Sequence, residues 1–178
     1  MRRSKVFGRT SVSDGNAWAP WPAALMRALG IDLGSRRIGL AVSDSQGSLA
    51  VPMDTLQRAE RWATDHAGIV EVVRETEAEV VVVGMPLSMD GSIGPAARRT
   101  LKELKVLRRT LSVPVETYDE RLSTVEAEGS LRAAALKSSR RSEVIDAAAA
   151  TVILQGWLDA RRGGTSGDVL EPRAEDPS

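Results

Sequence analysis

Four consecutive valines, Val80–Val83, followed at once by Gly84, constrain this chain more than any other feature. Valine branches at Cβ and favours extended backbone. A strand with one wet face alternates apolar and polar residues. This one does not alternate, so both of its faces must be covered, as in a parallel sheet flanked by helices. The neighbouring segments suit such a sheet. Ala28–Leu33 is a short apolar run broken by Asp32. Arg37–Ser43 is a second run, joined by a Gly34-Ser35-Arg36 link of hairpin length. Leu49–Leu56 reads as a third strand, weak or at an edge because of Pro52. Glu79–Val83 and Val113–Tyr118 complete the set. Helices are expected over Ala59–Thr76, Pro95–Leu111, Leu122–Leu136 and Ser142–Arg161. In the first, Trp62, His66, Ile69, Val70 and Val73 recur at helical spacing. In the second, Pro95 suits the first turn. Paired strands followed by strand–helix alternation give an α/β or α+β sheet with helices packed on it.

Composition narrows the chemistry. The chain has no cysteine and one histidine, His66, so thiolate and His-rich metal sites are excluded. Any metal must be held by carboxylates, which select Mg²⁺ or Mn²⁺. The 24 basic and 24 acidic residues cancel. A protein that coats nucleic acid by bulk charge is thereby excluded, while a local basic face is not. Residues 1–25 carry a net +3 and residues 163–178 a net −3. Both ends are polar, rich in Gly, Pro and Ser, and aperiodic, and are expected to be disordered tails around one domain at 26–162. The first stretch has no apolar core for a secretory signal and matches a transit peptide only loosely; Met26 is a candidate start. No run of 18 apolar residues suggests a membrane span.

Three acidic points fall where surface decoration is awkward. Asp32 lies inside an apolar run, before Leu33-Gly34. It either opens a turn or holds a cation, because a charge there otherwise costs desolvation. Asp119 and Glu120 end a strand, as a surface turn paired with Arg121 or as a ligand. Asp146 sits beside the apolar stripe Val144, Ile145, Ala148, Ala149, Val152 and Ile153. Small neighbours there let a helix approach a sheet, and a carboxylate is either paired or functional. Together these points supply hard oxygen donors from two strand ends and one helix. Phosphodiester cleavage assisted by two divalent ions needs such donors and no histidine or cysteine.

Four ordered blocks then carry a resemblance. The opening Met26-Arg-Ala-Leu-Gly-Ile-Asp-Leu-Gly-Ser-Arg-Arg-Ile-Gly-Leu-Ala-Val-Ser-Asp44 resembles that of the YqgF family, also called RuvX. Val83-Gly-Met-Pro-Leu-Ser-Met-Asp-Gly-Ser-Ile-Gly-Pro95, Tyr118-Asp-Glu-Arg-Leu-Ser-Thr-Val-Glu-Ala127 and Asp146-Ala-Ala-Ala-Ala-Thr-Val-Ile-Leu-Gln-Gly-Trp-Leu-Asp159 match it in order. The likeness covers about 26–162. It departs in the second helix, where Thr100, Leu101 and Leu104 stand in place of the usual aromatic. Family members are named as nucleases of pre-16S ribosomal RNA, formerly as Holliday junction resolvases. The resemblance implies an RNase H-like fold: a mixed five-stranded sheet with helices on both faces. It implies Asp32, Glu120 and Asp146 as catalytic residues and ligands of Mg²⁺ or Mn²⁺. It also implies a ribosomal RNA precursor, and with it the pre-ribosome, as partner, in the cytoplasm. The sequence shows no dimer stripe, so a monomer or weak dimer is expected.

The second helix divides by charge. Arg98, Lys102, Lys105 and Arg109 share one face, and Ala97, Leu101, Leu104, Leu107 and Leu111 the other. A solvated face is the ordinary reading. Six basic residues against one acid, Glu103, over 98–109 favour a phosphate backbone. Lys137, Arg140 and Arg141, just before the Asp146 helix, are further candidates for nucleic-acid contact. Gly84, Gly91 and Gly94 punctuate a loop that is either a plain connection or a phosphate cradle. It lacks the Lys-Ser/Thr of an NTP-binding loop. Arg36 or Arg37 is expected either to pair with Asp32 or to touch substrate; Ser123 and Thr124 are expected to cap a helix. His66, Trp62 and Trp157 are expected in the core. With three aromatics in 26–162, stacking of single-stranded bases has little platform. Two other classes stay open. A phosphotransferase of the actin or sugar-kinase type also begins Gly-Ile-Asp-x-Gly, yet needs two domains around a nucleotide cleft. A non-catalytic RNA-binding assembly factor would use the basic face alone.

Overall fold

A computed structural model describes residues 26–122 and 141–162, with backbone alone for 141–146. Among the described residues six strands and three helices follow in order: β1 (Ala28–Asp32), β2 (Arg37–Ser43), β3 (Ala50–Pro52), β4 (Leu56–Gln57), α1 (Trp62–Thr76), β5 (Val80–Met85), α2 (Pro95–Thr110), β6 (Val115–Asp119) and α3 (Arg141–Arg162). A 3-10 turn, Glu120–Leu122, follows β6. The sheet order is β3-β2-β1-β5-β6, with β4 pairing β2 beside it. β1 pairs antiparallel with β2, and β2 with β3 and β4; β1, β5 and β6 run parallel. The sheet is therefore mixed, with helices on both faces. It has six strands because the expected third run divides. Pro52 lacks an N–H and ends β3 at the sheet edge, and pairing with β2 resumes at Leu56.

The valine strand is buried throughout. Val81, Val83 and Met85 join Leu29, Ile31, Ile38 and Leu40 in a core closed by α1 and α2. Val80 and Val82 join Ala28, Ala41 and Tyr118 in a second core, closed by Ala150, Ile153, Leu154, Trp157 and Leu158 of α3. Period-2 alternation thus assigns each strand residue to one helical layer. α3 packs closely because Gly30 has no side chain. A Cβ there would lie 2.7 Å from Leu154 Cβ and 3.0 Å from the Ala150 carbonyl oxygen. Farther along, the Trp157 indole N–H donates to Glu116 Oε2 at 2.8 Å. Arg161 stacks over that ring, 4.6 Å from its centroid. At the other edge the Ala50 N–H donates to Gln155 Oε1 at 2.9 Å.

His66 and Trp157 are buried as expected, and Trp62 is half-buried. The expected helix Leu122–Leu136 and the two tails lie, but for Leu122, outside the described residues. Among the described residues no helix is long and apolar enough to cross a membrane.

Candidate active site

Strand alternation sets the sheet face that each acidic strand residue takes. On β1, Leu29 and Ile31 face α1 and α2, so Asp32 shares the α3 face with Ala28 and Gly30. On β6, Tyr118 faces α3, so Asp119 points to the opposite face. Glu120, which opens the 3-10 turn after β6, lies on the α3 side, its Oε1 meeting the same Gly84 position as Ile153. The parallel register sets Ile31 beside Val83 and Gly84 beside Tyr118. Asp32 and Glu120 therefore flank Gly84 at the carboxyl ends of three parallel strands, where open α/β sheets place their ligands. Both residues are half-buried.

Gly84 is where the structure departs from the reading of a phosphate loop. It lies within β5 and is buried. A Cβ on it would lie 2.6 Å from Glu120 Oε1 and would run into Ile153 Cδ1. The missing side chain is a seat for the Glu120 carboxylate, and the loop proper begins after Met85. The other two glycines do belong to that connection. Gly91 has φ +82 and sits next to Arg121, whose Nη1 would be 3.2 Å from an added Cβ. Its N–H closes a turn onto the Ser88 carbonyl at 2.7 Å. Gly94 caps α2 with extended backbone and no side-chain hydrogen bond.

α3 brings the third position. Going up the helix, Ile153 meets Gly84, Gly156 meets Tyr118 and Arg161 approaches Glu116 at 3.5 Å. Helix numbers rise as strand numbers fall, so α3 runs against β6, and its start lies toward the carboxyl ends of the parallel strands. Asp146 is one turn before Ala150 and two turns before Ile153. That places its backbone on the sheet-facing stripe, at the end where Asp32 and Glu120 stand. Its side chain is outside the described residues. Among the described residues no group of three acidic, His or Cys side chains forms a metal centre. Two hard-oxygen carboxylates around a glycine seat, with a third residue arriving on the facing helix, still suit Mg²⁺ or Mn²⁺ by donor type.

Arg121 has a settled partner. Its Nε lies 3.0 Å from both Asp119 oxygens and its Nη2 2.5 Å from Oδ2. That hydrogen bond, more than any other cause, holds the Asp119 carboxyl below the ordinary aspartate range. On α2, Arg98, Lys102, Lys105 and Arg109 are all exposed, as are Arg99 and Arg108. Arg98 Nη1 also donates to the Ile93 carbonyl at 2.7 Å, tying the helix to its own loop. Glu103 does not belong with them: it is 0% exposed and pairs with Arg58. Sequence reasoning missed this, although Glu103 shares the helical stripe of Thr100, Leu104 and Leu107. Nothing in the sequence around Arg58 marks it as buried. Lys137 and Arg140 lie outside the described residues. Arg141 opens α3, and its side chain too is outside the described residues.

Comparison with known proteins shows the family and the fold. The model of the RuvX family, described as Holliday junction resolvase, matches residues 26–160. A protein of Anaeromyxobacter dehalogenans (strain 2CP-1) is 50% identical over 136 residues, covering 76% of this chain and 98% of the relative. One from Myxococcus xanthus is 49% identical over 137 residues, 77% of this chain and 90% of its own. One from Synechococcus sp. (strain JA-2-3B'a(2-13)) is 43% identical over 141 residues, 79% and 82%. All three carry the name "Putative pre-16S rRNA nuclease". Among solved structures, Thermus thermophilus RuvC in complex with a Holliday junction substrate shares the fold. Its TM-score is 0.52 at 21% identity, over 79% of this chain and 97% of that one. The RNase H-like architecture inferred from the four sequence blocks is therefore the observed one, and the chain belongs to the RuvX family.

Proposed function

We propose that this protein is a divalent-metal-dependent nuclease that hydrolyses phosphodiester bonds, processing the 5' end of pre-16S ribosomal RNA in the cytoplasm. The observation that carries the reading is the convergence of Asp32 and Glu120 across Gly84, with Asp146 on the facing stripe of α3. Asp32, Glu120 and Asp146 would hold Mg²⁺ or Mn²⁺. When bound, such ions supply Lewis acidity toward the phosphoryl oxygen and charge for the leaving oxygen. The chain's own work is positional. Asp32 and Glu120 are both partly buried, which restricts where their carboxylates can go. The exposed Arg98, Lys102, Lys105 and Arg109 take the phosphate backbone, with Lys137, Arg140 and Arg141 as further contacts. Gly91 and Gly94 shape the loop between these two regions. The names carried by relatives at 43–50% identity support RNA as the substrate.

The test is cleavage of labelled pre-ribosomal RNA, single-stranded RNA, single-stranded DNA and a four-way junction, each with Mg²⁺ and with Mn²⁺. Asp32→Asn, Glu120→Gln and Asp146→Asn are each expected to abolish metal-dependent cleavage of the RNA while leaving the circular dichroism spectrum unchanged. Full activity in all three variants overturns the proposal. Preferential cutting of the junction would move the substrate from RNA to recombining DNA.

A further inference from the structure

Behind the turn that follows Asp32 lies a cluster of charges that the site does not use. The Arg58 side chain is 7% exposed, and those of Asp65 and Glu103 are 1% exposed. Arg58 Nη1 donates to Asp65 Oδ2 at 2.9 Å and to Glu103 Oε1 at 2.5 Å; Nη2 donates to Glu103 Oε2 at 3.0 Å. Asp65 also accepts the Ala59 N–H at 2.7 Å, and His66 Nε2 lies 3.4 Å from Glu103 Oε1. The guanidinium is thus locked between α1 and α2. A further donor, Nε, reaches outward to the Gly34 carbonyl oxygen at 2.9 Å. The Arg58 backbone N–H donates to the Arg36 carbonyl at 3.0 Å. The same residue therefore holds the β1–β2 turn twice.

That turn has no slack. A Cβ on Gly34 would lie 2.6 Å from the Arg37 carbonyl oxygen. Asp32 stands at its mouth, opposite Gly39 in the ladder. A buried charge cluster is also a poor source of stability, since apolar side chains of similar volume often serve as well. Its geometry is what an apolar filling does not reproduce.

We propose that Arg58 is a positioning residue for Asp32: held by Asp65 and Glu103, it fixes the Gly34 carbonyl and so the turn that aims the Asp32 carboxylate. This rests on the reading of Asp32 as a metal donor. Lysine offers a point charge in place of a planar fork and cannot hold three partners in this geometry.

Two variants of the full chain test it, Arg58→Lys and the triple Arg58→Met/Asp65→Asn/Glu103→Leu. Mn²⁺ affinity is read by electron paramagnetic resonance, and kcat and KM on the RNA that the parent cleaves. Arg58→Lys is expected to weaken Mn²⁺ binding and lower kcat by roughly 10–100-fold, the usual cost of losing a partner that orients a metal ligand, with KM unchanged. The triple variant, in which the charges are replaced together, is expected to recover the parental melting temperature and not the Mn²⁺ affinity. Recovery of both, or parental Mn²⁺ binding by Arg58→Lys, overturns the positioning role. Asp32→Asn is the control. Parental Mn²⁺ binding in that variant removes the metal reading itself and this proposal with it, whereas a failure confined to Arg58 leaves the metal reading standing.

Discussion

At the scale of single residues, the site depends on an atom that is missing. Gly84 leaves room for the Glu120 carboxylate and for Ile153. Gly84→Ala is expected to displace both. Overpacking of this kind costs about 1–3 kcal/mol, and the carboxylate shift should lower cleavage further than the loss of folded protein explains. Denaturant unfolding beside activity per folded molecule checks the two parts. Asp44 gives a second residue-scale prediction. Its carboxylate accepts the Ser48 N–H at 2.7 Å, the Leu49 N–H at 3.1 Å and the Ser48 hydroxyl at 3.1 Å. The backbone N–H of Ser48, then that of Leu49, holds its pKa below the ordinary aspartate range. A carboxylate depressed in the folded state stabilises above its unfolded pKa, and that contribution is lost as pH falls through the lower folded value. Asp44→Asn should therefore be less stable than the parent at pH 7. The gap should begin to narrow below about pH 4, where the unfolded aspartate takes up its proton, and close as the folded residue becomes neutral at still lower pH. Urea unfolding at stepped pH measures this.

At the scale of elements, α2 separates its side chains by face, Ala97, Leu104 and Leu107 in the core and the cations outside. Its exposed cations do not pack on the core, so charge can be reversed there without disturbing the fold. Lys102→Glu/Lys105→Glu/Arg109→Glu is expected to keep the parental melting temperature and to bind RNA more weakly. The slope of log affinity against log salt should fall by roughly 0.7 for each phosphate that the helix no longer neutralises. An unchanged slope would return the helix to the status of a solvated face. The hydrophobic spacing of α2 was legible in the sequence, and so was the amphipathic division. Glu103 was not, because its partner lies 45 positions away and local pattern carries no record of it. The glycine-rich connection was misplaced by two residues for a related reason. Glycine reads as a turn signal in one dimension, while at position 84 it serves a neighbouring strand and helix.

At the scale of the whole molecule, two apolar cores close on the two faces of the sheet, and Asp32 and Glu120 stand at the carboxyl ends of its parallel strands. Divalent ions would bind at those ends and contribute nothing to either core. Removal of metal with EDTA is therefore expected to stop cleavage and leave the thermal unfolding transition in place. Calorimetry and a gel assay on the same sample compare the two. A collapse of the transition on chelation would show that an ion is structural. The chain by itself indicated that both faces of the valine strand are covered, as in a parallel sheet with helices packed on it, because an unbroken β-branched run has no wet face. It also marked Asp32 and Asp146 as carboxylates in awkward places. The opposite faces that Glu120 and Asp119 take, the seat at Gly84 and the buried grip of Arg58 on the Gly34 turn were decided in three dimensions. Each depends on which residues face one another across the sheet, and strand register and helix direction fix that only once the chain has closed.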